Sequence, residues 1–161
     1  MQEQTGRCLC GAIHYRVTAQ PVRVSFCHCR FCQRVTGGPY AVEPIFRKAE
    51  VQVTGEAKSY DHVSAGSGKV ITTHFCPTCG ANLFYTFERF AEFIGVQAGT
   101  FDDPNWFSYD AGNAKHIFLD DARRDTLIPA GLPCFRQHSQ DKDGNPVEPV
   151  IYDRPRPVRE T

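Results

Sequence analysis

The apolar residues of this chain recur in short runs, most of them with alternating polarity. In residues 11–17, Ile13, Tyr15 and Val17 alternate with His14 and Arg16, the period-two pattern of a strand with one buried face. Similar short runs, separated by Gly, Pro, Asp and Ser, occur at residues 40–46, 51–54, 70–75, 82–87, 93–97 and 116–119. The pattern predicts a mainly β protein.

Helical signals are few. No segment sustains an apolar period of 3.6 residues, and a single helical turn is expected only at residues 29–35 and 89–92. From residue 137 onward the chain is polar and rich in proline, which favours an extended tail or a strap. We therefore predict one folded domain over residues 1–136, followed by a C-terminal tail over residues 137–161.

Composition and charge narrow the choice of partners and compartment. The 18 basic and 18 acidic residues give a formal net charge of zero, and the basic residues form no long run, so a nucleic-acid partner is not expected. The chain carries neither a signal-peptide pattern nor an apolar stretch of about 18 residues, the length of a membrane span. We expect a cytoplasmic protein without membrane contact, of an oligomeric state that the sequence does not indicate.

Eight cysteines are the main chemical feature of the chain. Cytoplasmic thiols are normally kept reduced, so metal binding is a more suitable role for these cysteines than disulfides. Their short spacings are also those of metal ligands. Two short-spaced pairs can supply the four thiolates of a closed, structural zinc site. These pairs are Cys8 with Cys10 and Cys76 with Cys79, and the glycine after the second pair, Gly80, allows the backbone to curl beneath a metal.

A second cluster has three cysteines within six residues: Cys27, Cys29 and Cys32. Three protein ligands and one exchangeable position are typical of catalytic zinc, so we predict a second zinc at an open site. Arg30 and Arg34 are candidates to balance the negative charge of three thiolates on one zinc ion, and solvent-exposed charge is the alternative for each.

Several other residues have a structural interpretation beside the functional one. His28 could be the fourth ligand or a proton carrier, but its place between two ligands in an alternating segment favours a role behind the ligands or at the surface. His74, two residues before Cys76, could hydrogen-bond near the structural metal, but a place on a strand face is favoured. The other histidines lack ligand spacing. Cys134, in an apolar setting, is expected in the core; the alternatives are a redox partner and an extra zinc ligand.

Three blocks of the sequence together resemble the glutathione-dependent formaldehyde-activating enzymes, a family that includes the centromere protein V domain. The blocks are residues 6–15, 25–37 and 75–83, with looser similarity through residues 97–104 and 115–118. The resemblance implies an Mss4-like fold of coiled antiparallel sheets, a structural zinc on the outer cysteine pairs and a second zinc on the central triplet. It thus agrees with the partition of the cysteines, at two zinc ions per chain.

The resemblance also implies an activity, the joining of glutathione to formaldehyde by a carbon–sulfur lyase run in the synthetic direction. Our hypothesis is that a substrate thiol ionises on the zinc held by Cys27, Cys29 and Cys32, which would form the catalytic centre. Three alternatives stay open at this point: an enzyme acting on a different sulfur compound, a thiol carrier without catalysis, and a zinc module for protein contact.

Overall fold

A computed structural model describes residues 3–158 of the chain. Its fourteen described strands, numbered in chain order, are β1 (Gln4–Arg7), β2 (His14–Val17), β3 (Arg23–Cys27), β4 (Ala41–Arg47), β5 (Val51–Thr54), β6 (Lys58–Val63), β7 (Val70–Phe75), β8 (Asn82–Phe87), β9 (Phe93–Val96), β10 (Ala114–Ile117), β11 (Leu127–Ile128), β12 (Pro133–Cys134), β13 (Val150–Ile151) and β14 (Arg156–Pro157). The described helices are α1 (Arg30–Thr36) and three 3-10 turns, Lys48–Glu50, Ala98–Thr100 and Leu119–Asp121.

The described chain forms two compact units. The first contains the residues up to Arg23 together with those from Glu43 to Ser108, and the second contains those from Val24 to Val42 and from Tyr109 onward. Each unit contains one of the two predicted cysteine clusters. Cys8 and Cys76 lie in the first unit, and Cys27 lies in the second.

In the first unit, β1, β2 and β5 form an antiparallel sheet in which β2 is central. The alternation read in the sequence is realised here, since Tyr15 and Val17 are buried and His14 and Arg16 are exposed. The close pairing of β1 with β2 depends on Gly6, where an added Cβ would lie 2.2 Å from the Tyr15 hydroxyl. This small sheet carries the first cysteine pair at its end.

The rest of the first unit is an antiparallel meander. Part of β4 pairs with β9, and the order continues through β8 and β7 to β6 at the edge. Phe46, Leu83 and Val96 are almost completely buried in the cluster that also contains Cys8 and Cys76. Two of the four predicted cysteines of the first cluster therefore lie in the main core of this unit, and Cys79 packs against it.

The second unit is organised around β3, whose last four residues are buried. Strand β10 pairs with β3 in parallel, with His116 opposite Phe26, and β12 pairs in parallel with β10. Strand β13 then pairs antiparallel with β12, and β14 pairs with β11. The sequence from residue 137 onward thus contributes two strands, while the division into a domain and a tail remains a prediction.

The predicted fold class is confirmed as mainly β with few short helices. Two details differ from the expectation. The sheet that contains β10 is mixed and not purely antiparallel, because β10 runs parallel to both of its neighbours. Residues 89–92 form a hydrogen-bonded turn and not a helical turn, whereas the other expected turn is α1. Within residues 3–158, no helix has both the length and the apolar character needed to cross a lipid bilayer.

Candidate metal centres

The first centre is a group of four converging sulfurs, from Cys8, Cys10, Cys76 and Cys79. The Sγ atoms all lie within 4.8 Å of one another, and the Cys8–Cys10 and Cys10–Cys76 separations are both 3.6 Å. Cys8 and Cys76 are buried, whereas Cys10 is exposed, so the group lies at the edge of the core. All eight cysteines of the chain are without a disulfide in this structure.

Two similar backbone turns bring these sulfurs together. The N–H of Gly11 donates to the carbonyl of Cys8 at 3.1 Å, and the N–H of Gly80 donates to the carbonyl of Cys76 at 2.9 Å. Both glycines have a positive φ, near 78° and 74°, which only glycine adopts at little cost. Each Cys–Gly block is therefore a chelating turn, as the sequence predicted for Gly80.

The four-sulfur group fits a tetrahedral metal ion. Thiolates bound to zinc at about 2.3 Å are about 3.8 Å apart, close to the 3.6 Å separations found here. The backbone N–H groups of Ala81 and Cys10 lower the pKa of Cys79 to about 6, which favours the thiolate that a metal requires. A donor set of sulfur alone suits zinc among the common divalent ions, and the set of four leaves no position open.

The second centre is the group of Cys27, Cys29 and Cys32, whose Sγ atoms also lie within 4.8 Å of one another. Cys27 is the last residue of β3, Cys29 is the N-cap of α1, and Cys32 lies in the first turn of that helix. The N–H of Cys32 donates to the Cys29 sulfur at 3.3 Å. The strand end and the helix start thus place three sulfurs on one side of a tight turn.

The electrostatics of this turn favour an ionised sulfur. Hydrogen bonds from the side chains of Cys27 and Cys32, together with backbone N–H groups, lower the pKa of Cys29 to about 3. Cys27 and Cys32 are buried, and Cys29 is partly exposed. The group fits a metal ion bound through three thiolates, approached by solvent on the side of Cys29.

The second group lacks a fourth protein ligand in the described part of the chain. No other His, Cys, Asp or Glu ligand atom in residues 3–158 lies close enough to join the three sulfurs. His28, although it lies between two of them in sequence, is outside the group. The two groups therefore differ in the number of converging ligands, four against three, in the structure as well as in the sequence.

His28 is fully buried and pairs with a histidine of the neighbouring strand. Its Nε2 lies 3.0 Å from Nδ1 of His116. Burial lowers the pKa of both imidazoles to about 4, so both are neutral at pH 7. The sequence favoured a place behind the ligands or at the surface for His28. In the structure its side chain is buried and not at the surface.

Sequence reasoning missed two polar residues beside this turn, His116 and Gln33. Gln33 is buried, and its Nε2 donates to the carbonyl oxygens of His28 at 2.6 Å and Asp121 at 2.9 Å. Its Oε1 accepts from Arg30. A glutamine four residues after an N-cap cysteine carries no distinctive pattern, and His116 meets His28 only through strand pairing, so neither could be recognised by spacing.

The other residues singled out in the sequence lie elsewhere or make other contacts. Arg30 and Arg34 are both exposed on α1. His74 stacks on Phe84 and contacts Thr86 through Nε2 at 2.9 Å. Cys134 is buried in the core of the second unit, and burial raises the pKa of its thiol to about 11. The environment of Cys134 is that of a packed, un-ionised thiol.

Phe135, far along the chain from the cysteine triplet, belongs to the same buried hydrophobic cluster as two of its sulfurs. This cluster also includes Cys27, Cys32, Ala41 and Ile117. The N–H of Phe135 donates to the carbonyl of His116 at 2.9 Å, which extends the pairing of β12 with β10. The segment around β12 therefore supplies apolar surface next to the cysteine triplet.

Replacing Phe135 by Ala is expected to destabilise the chain by about 3 kcal/mol or more, because the change opens a cavity beside the buried sulfurs. Urea unfolding followed by circular dichroism measures the change. Leu127→Ala is the matched control, since Leu127 is 63% exposed and its loss is expected to change stability by no more than about 0.5 kcal/mol. Equal midpoints for the two variants would contradict a packing role for Phe135.

Comparison with known proteins gives matches in sequence and in fold. Residues 3–121 match the sequence profile of the family described as glutathione-dependent formaldehyde-activating enzyme. The chain is similar to an uncharacterized lyase of Schizosaccharomyces pombe, with 26% identity over 141 residues that cover 80% of this chain and 99% of the relative. The match to the family ends before β11, so the segment that carries Phe135 lies beyond it.

A solved structure supports the fold. A crystal structure of a Rhodobacter sphaeroides protein aligns with a TM-score of 0.50 and 22% sequence identity, covering 61% of this chain and 87% of that one. At this identity the likeness concerns the fold alone. The match over 119 of 161 residues identifies the family, and the chain belongs to the glutathione-dependent formaldehyde-activating enzyme family.

Proposed function

We propose that the chain is a zinc-dependent, lyase-type enzyme that binds glutathione at the Cys27–Cys29–Cys32 group and joins its sulfur to formaldehyde. The observation that carries the proposal is the difference between the two sulfur groups, one with four converging ligands and one with three. Membership in the family and the similarity to a lyase give the class of reaction. Zinc in both groups is part of the proposal.

The reaction balances without an oxidant or reductant. The thiol sulfur of glutathione forms a bond to the carbonyl carbon of formaldehyde, the C=O π bond breaks, and the thiol proton ends on the new hydroxyl group. The product is S-hydroxymethylglutathione, and the reverse reaction cleaves a carbon–sulfur bond. A zinc ion in the triplet, when bound, supplies a positive charge that favours the thiolate form of the incoming thiol.

The residues of this chain have separate tasks in that scheme. Cys27, Cys29 and Cys32 would hold the ion, and the partial exposure of Cys29 marks the side from which a thiol can approach. The buried side chains of Phe135 and Ile117 share a cluster with Cys27 and Cys32 and exclude water from these two sulfurs. The neutral imidazole of His28 adds no charge beside the sulfurs, because it stays un-ionised at pH 7.

The proposal is tested by the exchange rate between formaldehyde and its glutathione adduct, since the two react spontaneously and only the rate can reveal catalysis. We expect the zinc-loaded chain to raise this rate, measured by magnetisation transfer with 13C-formaldehyde, above that of an equal concentration of zinc salt. Cys134→Ala, which leaves both sulfur groups intact, is expected to match the wild type.

Two results would contradict the proposal. An unchanged exchange rate together with thiol binding, measured by calorimetry, would make the chain a thiol carrier without catalysis. An unchanged rate without any thiol binding would exclude a thiol as the substrate or ligand of this site.

A further inference from the structure

The turn that holds the cysteine triplet is fastened through the residue in its middle, His28. Its N–H donates to the carbonyl of Ile117 at 3.0 Å, and its own carbonyl accepts from Gln33 Nε2 at 2.6 Å. Its imidazole meets His116 on β10 at 3.0 Å. The residue between Cys27 and Cys29 is thus bound at its backbone and at its side chain.

The contact between the two imidazoles is the one side-chain hydrogen bond of each ring within residues 3–158. His28 Nδ1 and His116 Nε2 are both buried and have no hydrogen-bond partner there. Both rings also pack against aromatic neighbours. The ring centroid of His116 lies 4.6 Å from that of Phe26, on which it stacks, and the ring centroid of His28 lies 4.8 Å from that of Tyr40. The pair is therefore joined through one defined nitrogen of each residue.

We infer that His116 is a positioning residue for the Cys27–Cys29–Cys32 group, acting through the His28 imidazole to hold the three sulfurs in place and to keep His28 away from the fourth position. The inference rests on the proposed metal site in the triplet. His116 lies outside the group of converging ligand atoms, and its effect passes through the contact between His28 Nε2 and His116 Nδ1.

A positioning residue is needed because an open metal site depends on the surrounding protein for part of its geometry. A closed site is fixed by four bonds to the ion, whereas a site with three ligands relies on the protein for part of its geometry. A side chain beside the ligands must also be restrained, because an unrestrained imidazole is a good zinc ligand and would close the site. Residues that hold ligands from behind commonly change metal affinity by about 10- to 100-fold.

The test uses amide side chains as substitutes for single imidazole nitrogens. The amide of Asn reaches the position of Nδ1, and the longer Gln reaches that of Nε2. We therefore expect His116→Asn and His28→Gln to preserve the contact, and His116→Gln and His28→Asn to lose it. The shorter side chain is the conservative one at position 116 and the longer one at position 28, so side-chain size alone cannot produce this pattern.

Cobalt(II) titration of the metal-free full chain measures affinity through the thiolate-to-cobalt absorption of each group. We expect the two contact-preserving variants to bind the second cobalt within about threefold of the wild type, and the other two to bind it at least tenfold more weakly. His62→Asn, on β6 of the first unit, is the control and is expected to leave both affinities unchanged. Circular dichroism checks that every variant is folded.

The pattern of the four variants decides the inference. Equal cobalt affinities for Asn and Gln at each position would overturn it, as would a loss that follows side-chain size. Failure of the proposed function appears separately, because a wild type that binds two cobalt ions but shows no spectral change on addition of glutathione would refute thiol binding and leave the positioning role of His116 intact.

Discussion

The Cys76→Ser variant is expected to lose one of two zinc ions per chain and, with it, the folded state of the first unit. Cys76 is fully buried within the main core of that unit, and its sulfur lies 3.6 Å from that of Cys10. The binding free energy of structural zinc in small domains is about 10 kcal/mol or more and is coupled to folding, while whole domains are stable by only about 5–15 kcal/mol. Elemental analysis and circular dichroism measure the two losses.

The control for this variant is Cys134→Ala. Cys134 is equally buried but lies outside both sulfur groups, so its loss should leave the zinc content unchanged and cost only about 1–2 kcal/mol. A Cys76→Ser chain that keeps two zinc ions and the wild-type unfolding curve would show that the four-sulfur group is not a metal site.

The Cys29→Ser variant is expected to lose the other zinc ion while the chain remains folded. Cys29 is partly exposed at the N-cap of α1, and serine is itself a good N-cap residue, so the helix keeps its start. Without one of three thiolates, the triplet is expected to lose glutathione binding and the increase in exchange rate with formaldehyde. Zinc per chain, measured before and after addition of glutathione, gives the result.

Selective loss in the Cys29→Ser variant separates the two groups by function. One zinc ion in Cys29→Ser against two in the wild type, at similar thermal stability, is the result expected from a closed structural site and an open second site. A variant that retains two zinc ions and full activity would exclude Cys29 as a ligand, and a wild type with a single zinc ion would confine the metal to one group.

Much of the strand content could be predicted from local patterns. Strands β5, β7 and β8 begin and end at the predicted residues, because their sequences are bounded by turn-forming residues. Strand β3 was not predicted, since its last four residues are all buried and a strand buried on both faces shows no alternation. Strand β6 was missed for the opposite reason: most of its side chains are exposed at a sheet edge.

The partition of the cysteines was also accessible from the sequence, for a physical reason. Thiolate pairs two or three residues apart can reach one ion only through short turns, and glycine marks such turns at positions 11 and 80. Spacing thus indicated which sulfurs converge, and the structure places those same sulfurs within 4.8 Å of one another.

By itself, the sequence determined the mainly β class, the two sulfur groups and the family, because these depend on local periodicity and on short-range spacing. Only the tertiary structure decided the pairing of β10 parallel to β3 and β12, which brings His116 to His28 and Phe135 to the triplet. These partners are 88 and more than 100 residues apart in the chain. Contacts over such separations are set by strand order and register, which no local pattern specifies.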